Sequence, residues 1–304
     1  MQSCSPTLSR TCFLRWLIRV SIWIERMFGA RFKIIVGTLI VFIFAVVAIF
    51  APQIAPSDPL TQDLFNRLSP PVWSSKGSWE HILGTDNYGR DVLSRLIYGA
   101  RVSILVGISS MLLSCTIGSL AGVVASYRGG RLGTFIMRFA DAHLAFPEIL
   151  LAILIVATLG GSLLNIVLVL GVSSWMVYAR VVYGLTLSLK ERPFIEAARV
   201  QGGAGWYIIR RHILPHLLPM IIVISTLQVA QMILTETALS FLGLGVPPPT
   251  PSWGNVLAEG RDRLFVAPWV ADSAGVAIIL VVWGINMLGN GLRERLDPRG
   301  GAHG

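Results

Sequence analysis

Residues 34–51 read IIVGTLIVFIFAVVAIFA, a continuous apolar run without a single charged side chain. As a helix these 18 residues would be about 27 Å long at 1.5 Å per residue, which nearly matches the hydrocarbon layer of a bilayer. The run begins beyond residue 30 and is longer than the apolar part of a secretory signal peptide. It therefore predicts a membrane-spanning helix that is retained in the protein.

Five further apolar segments follow, and together they predict an all-α membrane protein with about six spanning helices. The third segment contains Pro147 and several polar residues. We therefore expect its first turns to lie outside the hydrocarbon and its helix to kink at the proline. The predicted spans are 34–51, 103–125, 134–159, 163–187, 216–244 and 267–291.

Composition excludes several classes of protein. Hydrophobic residues make up 54% of the 304 residues and charged residues only 13%, too few charges for a soluble domain. The net charge of +9 comes from basic residues beside the apolar segments rather than from one patch, so nucleic acid is not the expected partner. Cys4, Cys12 and Cys115 lack CxxC spacing and predict neither disulfides nor a zinc site. No HExxH or GxSxG pattern occurs, so we predict no metal site, no catalytic residues and no enzyme activity.

The distribution of Lys and Arg predicts the orientation. Basic residues concentrate in 10–33, 128–131, 190–211 and 293–299, whereas those of 52–102 and 246–266 are largely offset by acidic residues. Since cytoplasmic segments carry the excess of Lys and Arg, the first set is predicted to be cytoplasmic. Both termini then lie inside.

These spans and charges divide the chain into four predicted regions. Arg15, Arg19 and Arg26 share one helical face amid apolar neighbours, which indicates a helix in the membrane interface. The regions are a cytoplasmic or interfacial amphipathic segment (1–33), the first span with an external loop (34–101), a core of five spans that includes the loop 190–215 (102–292), and a cytoplasmic tail (293–304).

The loop between the fourth and fifth spans contains a short predicted helix. Pro193 suits the first turn of a helix and the pair Gly202-Gly203 suits its end. So short a helix is marginal in water unless it packs against something else. Ala197 and Ala198 allow another surface to approach closely, and Glu196 and Arg199 place opposite charges at i, i+3 spacing. An ordinary interhelical loop is the alternative interpretation.

The motif Glu196-Ala197-Ala198, followed by Gly202 and Leu214-Pro215, resembles the EAA loop of importer-type ABC permeases. His212 departs from the aliphatic residue of the general pattern. Three further segments, 81–95, 239–254 and 291–298, are similar to the second permease subunit of dipeptide, oligopeptide and nickel importers. The resemblance extends from about residue 30 to residue 300 and implies the type I ABC importer (MetI-like) permease fold.

This resemblance implies that the EAA helix docks on a cytoplasmic ATPase. Glu196 would pair with a basic or hydrogen-bonding group of the ATPase, with Arg199 beside it. Ala197 and Ala198 would allow close contact. Gly202 would end the helix, and Pro215 completes the motif. Because the chain has no GxxxxGK[ST] loop, it is expected to bind no cofactor itself, and ATP and Mg²⁺ belong to partner subunits. The implied location is the bacterial inner membrane, where the chain would contact lipid and form a heterodimer with a homologous second permease. The other implied partners are two cytoplasmic ATPases and a periplasmic or lipid-anchored binding protein.

Three acidic residues lie within predicted spans, where charge is costly and often functional. Asp141 and Glu236 are candidates for the translocation path, although Asp141 could also pair with nearby Arg138. Glu148 follows Pro147, where the start of a helix would stabilise its negative charge. In the first external loop, Asp86, Arg90 and Asp91 predict either a structured cap or a contact with the binding protein.

Two functional hypotheses from other classes remain open at this point. An ion-coupled secondary transporter would use Asp141 and Glu236 for coupling, although no inverted repeat is evident. A structural membrane scaffold would need no coupling helix. The solute also stays open among dipeptides, longer peptides, glutathione-like compounds and nickel chelates.

Overall fold

The computed structural model of the protein describes residues 29–296. Most of the predicted amphipathic segment 1–33 and most of the predicted tail 293–304 therefore lie outside the described residues. Within the described range the chain is helical, and β pairing is limited to an isolated bridge between Thr85 and Asp91.

The helices are numbered in chain order. They are α1 (Ala30–Ile49), α2 (Ala51–Ile54), α3 (Val92–Arg128), α4 (Gly130–Leu144), α5 (Glu148–Leu159), α6 (Leu163–Ser173), α7 (Trp175–Lys190), α8 (Pro193–Val200), α9 (Gly205–Ile208), α10 (Leu214–Phe241), α11 (Trp253–Arg261) and α12 (Pro268–Leu296). A short 3₁₀ turn at Leu64–Asn66 and a π-helical segment at Ile209–Ile213 complete them.

Within the described residues, five stretches are long and apolar enough to cross a membrane: Ala30–Ile49, Val92–Arg128, Leu163–Lys190, Gly205–Phe241 and Pro268–Leu296. The pair α4 and α5 makes a sixth candidate, broken by a bend of 88°. The prediction of about six spans is thus confirmed. Helices such as Val92–Arg128 extend well beyond the predicted 103–125, because hydropathy detects the part of a helix in hydrocarbon and not its polar ends.

The break between α4 and α5 lies where the sequence predicted a kink. Pro147 is the residue that precedes α5, with an extended ψ of 121°. A proline disfavours helical backbone at the residue before it and donates no hydrogen bond. The chain therefore turns through residues 145–147 instead of bending one continuous helix, and the change in direction is larger than a kink.

Close helix packing depends on small residues of α3. A Cβ at Gly118 would lie 2.1 Å from the Trp175 carbonyl oxygen, and a Cβ at Gly122 would lie 2.6 Å from that of Ala179. Such small residues let spanning helices approach at backbone distance. The α3–α7 contact therefore holds the beginning of α7 against the last third of α3.

The ends of several helices meet at what we call the basic end of the bundle, made of residues 29–33, 126–131, 190–213 and 290–296. Lys33 of α1 forms an ion pair with Glu294 of α12. The Lys190 ammonium at the end of α7 donates to the Ser126 carbonyl of α3 at 2.9 Å. The basic end thus combines the segments in which the sequence concentrates Lys and Arg.

The opposite end is covered by what we call the cap, made of residues 55–91 and α11. Trp253, the first residue of α11, is fully buried, and its indole N–H donates to the Leu96 carbonyl at 2.9 Å. Asp91 is the N-cap of α3, and its side chain accepts a hydrogen bond from the Ser94 N–H at 2.8 Å. The cap is therefore built onto the first turns of α3.

Candidate functional site

Helix α8 forms where the sequence predicted a short helix. Pro193 is in its first turn, where its missing N–H costs nothing. At its other end Gly202 has a φ of +81°. The Gly202 N–H donates to the Arg199 carbonyl at 2.9 Å and the Gly203 N–H to the Ala198 carbonyl at 3.0 Å. This is a Schellman ending, which favours glycine at the left-handed position.

Ile195 attaches α8 to the membrane bundle. Its side chain is fully buried, and it is the buried residue of a helix whose other side chains are partly or fully exposed. Ile195 packs in one cluster with side chains of α3, α7 and α10. The buried members of this cluster are Val123, Tyr178, Val182, Ile195, Ile208, Ile213, Leu217 and Ile221. Sequence reasoning missed Ile195, although an apolar residue in a short polar helix was the available indication.

The predicted docking residues lie on the accessible side of α8. Glu196, Ala197 and Arg199 are exposed, and Ala198 is half-buried. A concave surface that encloses about 600 Å³ is lined by Ala197, Ala198 and Gly202 together with residues of α9 and the π-helical segment. The small side chains leave this surface open, so another protein could approach the α8 backbone closely.

Pro215 lies at the start of α10, directly after a π-helical turn. The Leu214 N–H donates to the carbonyl of Ile209, five residues back. Since Pro215 has no N–H of its own to donate, the widened turn before it keeps the chain helical. Residues Gly205–Phe241 consequently form one long stretch, and the segment after α8 continues directly into a spanning helix.

Asp141 of α4 forms an ion pair with Arg180 of α7 rather than with Arg138. The local pairing considered from sequence is therefore wrong, because the packing of α4 on α7 brings Arg180 closer. The Asp141 and Arg180 side chains are 48% and 51% exposed. Both charges thus lie on the surface of this single chain, although α7 is part of a spanning helix.

The side chains of the other two acidic residues in spans form hydrogen bonds with serines of the same chain. Glu148 is in the first turn of α5, as predicted, and its carboxylate accepts a hydrogen bond from the Ser174 hydroxyl. Glu236 is completely buried and accepts hydrogen bonds from Ser240 at 2.7 Å and from Ser103 of α3 at 3.3 Å. The described residues enclose the Glu236 side chain completely, and its hydrogen bond with Ser103 joins α10 to α3.

Asp86, Arg90 and Asp91 are buried inside the cap, at 1%, 7% and 3% exposure. The Arg90 guanidinium donates to Asp86 at 2.7 Å and to Glu259 of α11 at 2.7 Å. These side chains therefore build the structured cap, one of the two predicted alternatives. Trp79, a neighbour in the same loop, is 81% exposed.

Within residues 29–296 no group of three His, Cys, Asp or Glu side chains is placed to hold a metal ion. The described residues combine spanning helices, a cap at one end, and a short helix presented at the basic end.

Comparison with known families agrees with this arrangement. The family described as "Binding-protein-dependent transport system inner membrane component" matches residues 114–300. The chain belongs to this family. A second match, to the "N-terminal TM domain of oligopeptide transport permease C", covers residues 34–71. The prediction of an importer permease is thereby confirmed.

Several curated permeases are similar over most of the chain. The di/tripeptide transport system permease protein DppC of Pseudomonas aeruginosa is 42% identical over 86% of this chain and 87% of its own. The dipeptide permease DppC of Alkalihalophilus pseudofirmus is 43% identical over 87% of this chain and 85% of its own. The glutathione transport system permease protein GsiD of Pectobacterium atrosepticum is 39% identical over 90% of this chain and 89% of its own.

A solved structure supports the fold of the permease. It is a chain of the MetNI methionine ABC transporter in an inward-facing conformation, with a TM-score of 0.53 and 21% identity. The match covers 64% of this permease and 93% of that chain. The predicted type I importer fold is therefore confirmed.

Proposed function

We propose that this permease is one of the two membrane subunits of an ATP-driven importer that carries di- or oligopeptides across a bacterial inner membrane. The observation that carries the proposal is the placement of α8. Its Glu196-Ala197 side is exposed, while Ile195 on the opposite side is buried among three spanning helices. The peptide substrate is supported by the names of the similar permeases.

In this function α8 is the coupling helix that docks on a cytoplasmic ATPase. Glu196 pairs with a basic or hydrogen-bonding group of the ATPase, and Arg199 adds a second charged contact. Ala197 and Ala198 let the two backbones approach, and Gly202 ends the helix so that it fits a groove. ATP and Mg²⁺ are bound by the two ATPases and not by this subunit.

Force applied to α8 would reach the membrane through Ile195. Its cluster contains Val123 of α3, Val182 of α7 and Leu217 of α10. Because a packed core transmits displacement with little compression, movement of α8 during ATPase closure would shift the basic ends of all three helices. Alternation between inward-facing and outward-facing states follows from that shift.

The proposed orientation places the basic end in the cytoplasm and the cap outside. Arg31, Lys33, Lys190 and Arg192 at the basic end follow the rule that cytoplasmic flanks carry the positive charge. The chain termini then face the cytoplasm, and the cap faces the binding protein that delivers the solute.

The Asp141–Arg180 pair indicates which face of the subunit meets its homologous partner. Both side chains are about half exposed on the single chain. Charges facing hydrocarbon are costly, so this face would adjoin the second permease or the water-filled path between the subunits. Glu236, which is buried, would influence the path only through the helices it joins.

Reconstitution tests the function. Proteoliposomes that contain both permeases, the ATPases and the binding protein should accumulate a labelled dipeptide only with ATP inside. Glu196→Lys and Gly202→Asp should insert normally but lose ATP-dependent uptake. Normal binding and stimulation of the ATPases by both variants would contradict the docking role.

Vesicles that contain this chain without the other subunits test the ion-coupled alternative. Uptake by this chain alone, driven by a proton or sodium gradient, would establish the ion-coupled carrier instead. In vesicles with the complete importer, competition of unlabelled dipeptides, glutathione or nickel chelates with the labelled dipeptide would assign the solute class.

A further inference from the structure

An apolar groove runs along the surface at the basic end, between the last turns of α3 and the segment that leads into α10. Its volume is about 580 Å³. From Ser119 to Arg128, the part of α3 in the groove is ten residues long, and its ends are about 13.5 Å apart. The lining is Ser119, Leu120, Val123, Val124, Tyr127, Arg128, Gly205, Trp206, Ile209, Arg210, Leu214, Leu217 and Ile221.

The groove has an apolar lining, which we call its floor, and two arginines, whose position we call its mouth. Leu120 and Val124 are 60% and 40% exposed, so part of the floor is open. Among the described residues, the charged members of the lining are Arg128 at the end of α3 and Arg210 in the π-helical segment, and none is acidic. Within residues 29–296 neither guanidinium takes part in an ion pair.

Aromatic residues mark the mouth of the groove as interfacial. Trp206 is 70% exposed, and Tyr127 is half-buried one residue before Arg128. Tryptophan and tyrosine favour the headgroup level of a bilayer. Basic pockets between spanning helices on the cytoplasmic side are suited to anionic headgroups.

We propose that this groove binds an anionic phospholipid of the cytoplasmic leaflet. One acyl chain lies along Leu120 and Val124, and the phosphate lies between Arg128 and Arg210. The proposal depends on the chain spanning a membrane with its basic end inside, and it is independent of which solute is carried.

Charge argues against the chain's own N-terminal segment as the occupant. Residues 1–28 contain Arg10, Arg15, Arg19 and Arg26 but a single acidic residue, Glu25. A segment with this excess of positive charge would be repelled by the two arginines at the mouth. An anionic lipid supplies the complementary charge, and its acyl chain matches the apolar floor.

Photo-crosslinking tests the site in the complete importer. A benzophenone amino acid replaces Val124, and the importer is placed in nanodiscs of phosphatidylglycerol or of phosphatidylcholine. We expect a crosslink that adds the mass of one phosphatidylglycerol. Substituting both arginines (R128Q with R210Q) should reduce it about thirtyfold, given the attraction of two basic side chains to an anionic surface.

Matched variants separate the site from general basicity. Arg131→Gln removes an exposed charge of the same end that is not part of the groove, and it should leave the crosslink unchanged. Leu120→Trp fills the floor without altering charge and should abolish the crosslink. Addition of inorganic phosphate should not compete, since the acyl chain contributes to binding.

Three results would overturn the proposal. These are equal crosslinking to both lipids, a crosslink that survives the double arginine substitution, or a crosslink to residues 1–28 or to the second permease. Dipeptide uptake by R128Q with R210Q, measured in parallel, shows whether the proposed transport function stands independently of the lipid site.

Discussion

The Arg95 guanidinium of α3 donates two hydrogen bonds to the Glu259 carboxylate of α11, at 2.5 and 2.9 Å, although 164 residues separate them. Arg95 also donates to Asp86 of the cap loop at 2.6 Å. Its side chain is 3% exposed. One buried arginine thus joins the loop, α3 and α11 at the cap end of the permease.

Removing this arginine should destabilise the cap. Arg95→Met leaves Asp86 buried with one arginine fewer, and breaking a buried pair costs about 3–5 kcal/mol. We expect a lower thermal unfolding midpoint of the purified importer. Arg261→Gln is the control, because Arg261 pairs with an exposed neighbour, Asp262, and should change stability by less than about 0.5 kcal/mol. Equal midpoints for both variants would refute a stabilising network.

Loss of the Ile195 anchor should separate ATPase docking from transport. Ile195→Ala removes a fully buried side chain, a change that costs about 2–5 kcal/mol in a packed core. We expect ATPases that still bind, reduced dipeptide uptake, and faster hydrogen exchange in residues 193–203. Val200→Ala on the same helix is the control, since Val200 is 84% exposed. Unchanged exchange in Ile195→Ala would show that Ile195 does not hold the helix.

A side chain at Gly202 should loosen the end of α8 through backbone strain alone. No atom of residues 29–296 lies within 4 Å of a Cβ built there, but the φ of +81° is left-handed. Gly202→Ala should therefore cost about 1–2 kcal/mol, and Gly202→Asn should cost less because asparagine tolerates this conformation. Gly184→Ala, also in open space but without a positive φ, should be neutral or slightly stabilising. ATPase affinity of the assembled importer measures the difference, and equal affinities for the Gly202→Ala and Gly184→Ala variants would contradict the role of the Schellman ending.

The Asp141–Arg180 ion pair should respond to exchange of its charges. Asp141→Arg or Arg180→Asp alone places two like charges together and should reduce both membrane insertion and uptake. The double exchange restores opposite charges and should recover most of the insertion. If uptake stays low in the double variant, the solute or the partner subunit interacts directly with the acidic or the basic side chain at its original position. Full activity in both single variants would remove this pair from the proposed path.

Much of the fold and of helix α8 could be predicted because the relevant information is local. A sufficiently long apolar run, such as residues 34–51, predicts a spanning helix whatever the arrangement of the other helices. Pro193 and Gly202 mark the ends of α8 by their own backbone preferences. Pro147 likewise marked the break in the third span, but its angle of 88° depends on what α4 and α5 pack against.

Tertiary structure decided which side chains meet. Arg180 rather than Arg138 pairs with Asp141, Ser103 reaches Glu236, and Glu259 completes the cap. These partners are tens to more than a hundred residues apart, and in a span each polar group must find a partner within the protein, since lipid offers none. Local sequence determines that a helix crosses the membrane and where it stops, whereas the packing of several helices determines which of their faces are buried.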